Sequence, residues 1–276
     1  MSTKPSPSRR RFIEAVDRGD DRVDLARAAL LVAGEEYAQL PVEPYLARLD
    51  DLAEMVRDRL DNENAPLIVL QELLDTLFRR VGFRGNRESY YDPRNSFLND
   101  VLDRKTGIPL TLGIVTLEVG WRLGLPLAGV NFPGHFLVRF EGENLRLLVD
   151  PFDGGRTLFE DEAQSLLDRA YGGMVRVRPE FLRTARRRDM LVRLLTNLKG
   201  IYLNVQDSPR ALSAVERILV IHPTAQSEIR DRGFLLARMG RSLEAIEQLE
   251  WYLGAAPDAS DAGRIQAMVD ELRGSR

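Results

Sequence analysis

His135-Phe136-Leu137-Val138-Arg139-Phe140 and Leu145-Arg146-Leu147-Leu148-Val149-Asp150 flank the turn-rich tetrapeptide Glu141-Gly142-Glu143-Asn144. Phe136, Val138 and Phe140 alternate with His135, Leu137 and Arg139, and Leu145, Leu147 and Val149 with Arg146, Leu148 and Asp150. A period of two on both sides of a turn predicts a β-hairpin. With those four residues as the loop, Phe140 is expected opposite Leu145, Val138 opposite Leu147 and Phe136 opposite Val149, an apolar face. On the other face Leu137 meets Leu148, and His135 meets Asp150 at the open end. Directly opposed Cβ atoms lie about 4.5–5.5 Å apart, within reach of an imidazole–carboxylate hydrogen bond. A one-residue slip would destroy both the apolar face and the couple, which argues for this register.

Upstream of the hairpin the period is helical. Val42, Leu46, Leu49, Val56 and Leu60, then Leu67, Leu70, Leu74, Leu77 and Val81, recur at the spacing of one helix face. Asn64 suits an N-cap, with Pro66 in the first turn. Gly82–Tyr91 reads as a loop, and Asp92–Leu102 as a capped short helix. A second helix is expected from Pro109, whose fixed φ and missing N–H fit a first helical position, to a stop at Gly124. Beyond the hairpin, Glu160–Tyr171 is expected as a short helix and Val175-Arg176-Val177-Arg178 as an edge strand.

From Asp189 the chain is helical again and repeats. Ser208 and Ser242, Ala211 and Ala245, Val215 and Leu249, and Pro223 and Pro257 are each 34 residues apart, the period of the tetratricopeptide repeat. Leu198, Tyr202, Ala211 and Pro223 fit its pattern in one copy, and Gly233, Leu236, Ala245 and Pro257 in the next. Lys199 stands where a small residue is usual.

Composition narrows the function. The 276 residues are 44% hydrophobic and 29% charged, values of a globular chain with room for about two domains. The formal net charge of −3 is too balanced for a dedicated nucleic-acid or membrane-surface binder. Arg176, Arg178, Arg183, Arg186, Arg187 and Arg188 crowd one stretch; with no aromatic platform interleaving them, a solvated linker helix or a partner for the acidic N-terminal segment is the favoured reading, and an anion or nucleic-acid patch the alternative. Cysteine is absent, which excludes disulfides, thiolate–metal sites and a cysteine nucleophile. The two histidines, His135 and His222, have no metal-ligand spacing, so neither a metal nor a cofactor is expected. Residues 1–11 lack the apolar run of a signal peptide and read as a disordered tail. No stretch reaches the ~18 apolar residues of a membrane span, and a cytoplasmic location is expected.

Four stretches in order, Tyr90-Tyr91-Asp92-Pro93-Arg94-Asn95-Ser96, Gly107-Ile108-Pro109-Leu110-Thr111-Leu112, Phe132-Pro133-Gly134-His135-Phe136 and Asp150-Pro151-Phe152-Asp153-Gly154-Gly155, resemble the SirB-type bacterial proteins. So does Glu228-Ile229-Arg230-Asp231-Arg232-Gly233 in the repeats. The resemblance implies an α+β chain: a mostly helical transglutaminase-like (papain-like) domain with a small antiparallel sheet over 12–188, its N-terminal region helical, and an all-α tetratricopeptide module over 189–276. In that superfamily a Cys at a helix N-terminus, a His on one strand and an Asp on the next perform acyl chemistry, the helix dipole and imidazolium favouring thiolate. His135 and Asp150 match the second and third members. The first would fall near Pro109, and the chain has no thiol.

The reading is therefore a non-catalytic, cytoplasmic protein-binding or regulatory factor, its repeats holding a protein or peptide, with nucleic acid a disfavoured partner and no membrane partner. The alternative is an acyl-transfer or amide-hydrolysing enzyme that uses His135 and Asp150 with a non-cysteine nucleophile, for which Thr111 in the first turn of the helix is the candidate. Arg94, Asn95, Asn99 and Asn131 are expected either to line the cleft or to serve as caps and turn contacts.

Overall fold

The computed structural model describes residues 6–60, 65–143 and 145–274. Asn64, expected as an N-cap, and Asn144, in the hairpin loop, lie outside them. The chain divides into two compact units, one ending at Leu194 and the other starting at Leu195, six residues beyond the boundary read from the repeat.

The first unit opens with α1 (Pro7–Val16), α2 (Leu25–Ala33), α3 (Val42–Arg57) and α4 (Pro66–Leu74), which runs on into a π-helical turn at Asp75–Arg80. Residues 7–11, expected in a disordered tail, are helical instead. Ser6 caps them, its Oγ accepting from Arg9 N at 3.1 Å; Pro7 occupies the first turn; and Ser8 Oγ donates to the Leu31 carbonyl at 2.9 Å. The helix is retained because Phe12, one turn on, is fully buried.

A two-residue strand β1 (Arg84–Gly85) pairs in parallel with β2 (Thr106–Gly107), inside what reads as loop. Between them lies α5 (Leu98–Arg104), preceded by a 3₁₀ turn at Pro93–Asn95. The central element is α6 (Pro109–Arg122), buried on every face from Pro109 to Gly120, as expected of a helix apolar all round. Gly124, with φ of 74°, ends it where the sequence predicts.

Glu118 is the polar exception on α6. It accepts from Ala26 N at 2.9 Å, serving an orphan N–H in the first turn of α2, and from Arg122 Nη1 at 2.6 Å. Burial pushes its pKa up against the opposing pull of Arg122 and the Ala26 N–H. A carboxyl raised in the folded state favours folding while protonated, and that contribution fades as pH rises through the folded value. Glu118→Gln keeps the acceptor without the charge, so near neutrality its stability is expected within about 1 kcal/mol of the native chain. Its stability relative to native should increase as pH climbs above the ordinary 4.5 of glutamate. Glu118→Ala strands the Ala26 N–H and costs about 1–3 kcal/mol. Urea titrations across pH check both.

Five antiparallel strands form one sheet in the order β6-β5-β4-β3-β7: β3 (Leu127–Val130), β4 (Leu137–Glu141), β5 (Arg146–Asp150), β6 (Arg156–Leu158) and β7 (Thr184–Ala185). The hairpin is β4–β5, but its register is shifted by two residues from expectation: Phe140 pairs with Leu147 and Val138 with Val149. The ladder extends to Glu141 opposite Arg146, and Gly142 N donates to the Leu145 carbonyl at 3.0 Å, so the turn closes one residue later on each side. A shift of two leaves every side chain on its own face. One face meets α6 through Phe136. The other, with Leu137, Leu148 and Leu158, packs on Leu167 of α7 (Gln164–Tyr171).

The expected strand Val175–Arg178 is not one. The Gln164 side chain supplies its pairing, donating to the Val175 carbonyl and accepting from Val177 N, both at 2.9 Å. Thr184–Ala185 forms the sheet edge instead. Arg187 and Arg188 find intramolecular partners: their N–H groups donate to Asp20 at 3.2 and 3.1 Å, and the Arg187 guanidinium stacks 4.5 Å above Trp121.

The helix α8 (Arg187–Asn204) contains the division between the units. The second unit continues through α9 (Ser208–Ile221), α10 (Gln226–Arg238), α11 (Ser242–Ala255) and α12 (Ala262–Gly274). Both ends of α9 and α11 are offset by the 34-residue period. Gly233 lets α10 and α11 approach, since a Cβ there would stand 2.6 Å from Leu249 Cδ2. Lys199, in place of a small residue, is held by Glu228 at 2.7 Å and Asp231 at 3.0 Å. No helix among the described residues is long and apolar enough to cross a membrane.

Candidate functional site

The loop Asn131–Phe136, between β3 and β4, carries the imidazole. His135 Nε2 lies 2.8 Å from Asp150 Oδ1. The contact is a diagonal one between the residues before β4 and the end of β5, because the ladder stops at Val138 opposite Val149. Asp150 also caps the 3₁₀ turn Pro151–Asp153, its Oδ1 accepting from Phe152 N at 3.0 Å and Asp153 N at 3.2 Å. One buried carboxylate oxygen thus orients the imidazole and closes a turn. The Phe152 ring stands edge-on to His135 at 6.0 Å, and Tyr90 edge-on to Phe152 at 6.0 Å.

Thr111 is fully buried in the first turn of α6. Its hydroxyl donates to the Asn95 carbonyl at 2.7 Å and accepts from Ile108 N at 3.1 Å. Among the described residues no hydrogen bond joins it to His135. Its oxygen is a structural tie between the 3₁₀ turn and α6, the ordinary use of a hydroxyl at a helix start.

Asn95 is also fully buried, and its side chain is spent on the loop before it: Nδ2 donates to the Ser89 carbonyl at 2.7 Å, and Oδ1 accepts from Asn86 Nδ2 at 3.1 Å. Arg94 is exposed and paired with its neighbour Asp92 at 2.7 Å. Asn99 is buried, and its Oδ1 has no partner among the described residues. Asn131 stands in the His135 loop, its Oδ1 3.4 Å from Nη1 of Arg193.

The structure thus brings together His135, Asp150 and Asn131 around one loop, and Asn95 with Thr111 at the start of α6. Three side chains around that loop escape the sequence reading: Tyr90, Tyr171 and Arg193. Tyr90 heads a motif already singled out, so it was accessible. Arg193 has only a faint signal, a lone cation three residues after buried Met190 on α8.

Residues 43–196 match the transglutaminase-like superfamily and residues 198–270 the tetratricopeptide repeat. A UPF0162 protein of Xylella fastidiosa (strain Temecula1) is 34% identical over 260 residues, covering 93% of this chain and 92% of the relative. The protein SirB1 of Salmonella typhimurium is 28% identical over 228 residues, covering 82% and 83%. Among solved structures, a crystal structure of menin, described as revealing the binding site for the Mixed Lineage Leukemia (MLL) protein, has a TM-score of 0.52 at 13% identity. The match covers 91% of this chain and 60% of that longer one, and extends the likeness of fold across both units.

Proposed function

Because the chain belongs to the transglutaminase-like superfamily, with tetratricopeptide repeats behind the matched domain, we propose that it is a non-catalytic, cytoplasmic factor that holds a protein or peptide partner. One observation carries the reading: the imidazole–carboxylate couple has no nucleophile to serve. Cysteine is absent from the chain, and the Thr111 hydroxyl is tied into buried hydrogen bonds with Asn95 and Ile108. Acyl transfer needs an activated nucleophile beside the base, and His135 has Asp150 on one nitrogen and, among the described residues, no hydroxyl bonded to the other.

The repeats supply the means of holding, since stacked helix pairs expose an extended surface that a peptide can line. The solved structure of menin, whose description names a binding site for another protein, supports the same class of role. Fold alone does not identify the partner.

The test has two arms. Purified chain is offered glutaminyl amides, peptide amides and activated esters, and no turnover above the uncatalysed rate is expected. Turnover abolished by His135→Ala would overturn the reading. In the second arm, a partner captured by the full chain is offered to a chain ending after Asn204, the last residue of α8. Loss of binding is expected, and equal binding would remove the repeats from the role.

A further inference from the structure

Among the described residues Arg193 is a cation without a counter-ion. Its Nη1 lies 3.2 Å from the Phe132 carbonyl and 3.4 Å from Asn131 Oδ1, long contacts for a charged donor. Its guanidinium carbon sits 6.0 Å from the Phe136 ring centroid. Among the described residues Nε and Nη2 have no hydrogen-bond partner, and no carboxylate is within ion-pair distance. Arg122 pairs with Asp50 and Glu118, Arg139 with Glu141, and Arg230 with Asp231 and Asp261, while Arg187 and Arg188, part-buried like Arg193, hold backbone carbonyls at 2.6 Å, closer than either contact of Arg193. Burial pulls the Arg193 pKa down, and the groups opposing that are the Tyr90 and Tyr171 phenols. A guanidinium stays charged in proteins, so shielding one without an anion is unfavourable unless an anion completes the site.

The surroundings belong to one loop. Arg193 touches Asn131, Phe132 and Phe136, while the Tyr171 hydroxyl lies 3.0 Å from the place a Cβ would take on Gly134. Tyr90 reaches the same loop through Phe152 and His135. We propose that Arg193, with the phenols of Tyr90 and Tyr171, forms a recognition site for a carboxylate group beside the His135–Asp150 couple.

Charge selects the ligand class. Among the described residues the site offers one unpaired positive charge, since Arg87, over the Phe152 ring, is taken by Asp153. A carboxylate neutralises it and matches the planar fork of a guanidinium. A phosphate dianion would leave excess negative charge in shielded surroundings. The site lies within the first unit and does not rest on partner binding by the repeats.

The experiment is a titration of the full isotope-labelled chain with N-acetylglycine, N-acetylglycinamide and inorganic phosphate, read by nuclear magnetic resonance at the amides of residues 131–136 and at Arg193 Nε–H. N-acetylglycine is expected to shift these signals saturably, with a Kd on the order of 1 mM, and the uncharged amide to leave them in place. Arg193→Gln should weaken binding at least about tenfold and Arg193→Lys by less, since the ammonium keeps charge but loses the fork. Binding by tetra-alanine with a free carboxyl end about tenfold tighter than by N-acetylglycine would assign the carboxylate to a peptide terminus, and equal binding to a small free acid. Equal shifts from the amide, stronger shifts from phosphate, or absence of saturation would overturn the proposal. The probe comparison on the native chain stands even if the Arg193 variants fail to fold.

Discussion

Asp150→Ala should cost about 2–4 kcal/mol of folding stability, because it strands several polar groups at once. Asp150 Oδ1 accepts from His135 Nε2 at 2.8 Å, Phe152 N at 3.0 Å and Asp153 N at 3.2 Å. Alanine leaves two backbone N–H groups of the 3₁₀ turn and the imidazole without an acceptor in a place water barely enters. Asp150→Asn keeps a carbonyl oxygen for the turn and loses the charge, so its cost is nearer 1–2 kcal/mol by the usual worth of charge-assisted bonds, or about half. His135→Ala removes one partner, itself 20% exposed, and leaves the two turn N–H bonds to Asp150 in place, so it should cost about 1 kcal/mol. The order matters more than the values. If Asp150 served only to orient a histidine, Asp150→Ala and His135→Ala would cost the same. Urea unfolding of the three variants at one pH distinguishes the cases, and equal losses would show that the carboxylate does not hold the turn.

That couple shows what the sequence could and could not convey. The period-two alternation from Phe136 to Val149 identified the hairpin and both faces, and set His135 directly opposite Asp150, a pairing the ladder does not contain. It could not fix the register, because a shift of two residues preserves every facing and the choice falls to the turn. Closing at Gly142 and Leu145 adds the Glu141–Arg146 pair to the ladder. The meeting of His135 and Asp150 then comes from the loop before β4 folding over the end of β5, which no pairing rule describes. The helical repeat was legible as a period, because four residue pairs 34 apart agree; the structure adds that the Ser208–Ser242 pair marks the helix starts. Val175–Arg178 failed as a strand since a single side chain, Gln164, satisfies its backbone. Arg193 stayed hidden for a related reason. An unpaired charge is defined by what does not surround it, and only the packed fold reveals that.

Phe136 and Gly113 should behave as a single unit of packing. The Phe136 ring is fully buried, and a Cβ on Gly113 of α6 would stand 2.4 and 2.5 Å from its edge atoms. Gly129 on β3 meets the tip of the ring, with a Cβ at 2.8 Å from Cζ. Phe136→Ala therefore opens a cavity between helix and sheet and is expected to cost about 3–5 kcal/mol. Gly113→Ala in the native chain forces the ring to move, at about 1–3 kcal/mol even after the gain in helix propensity. In the Phe136→Ala background the same methyl enters vacated space, so Gly113→Ala should instead stabilise by up to about 1 kcal/mol, the propensity difference alone. The double-mutant cycle thus carries a coupling of about 2–4 kcal/mol. Because the ring also lies under Arg193 and ends the loop that presents His135, loss of the ring should broaden the Asn131 and His135 resonances before the sheet itself melts. Additive costs, with no sign change for Gly113→Ala, would mean that helix and ring do not share this space and that the loop draws its order from elsewhere.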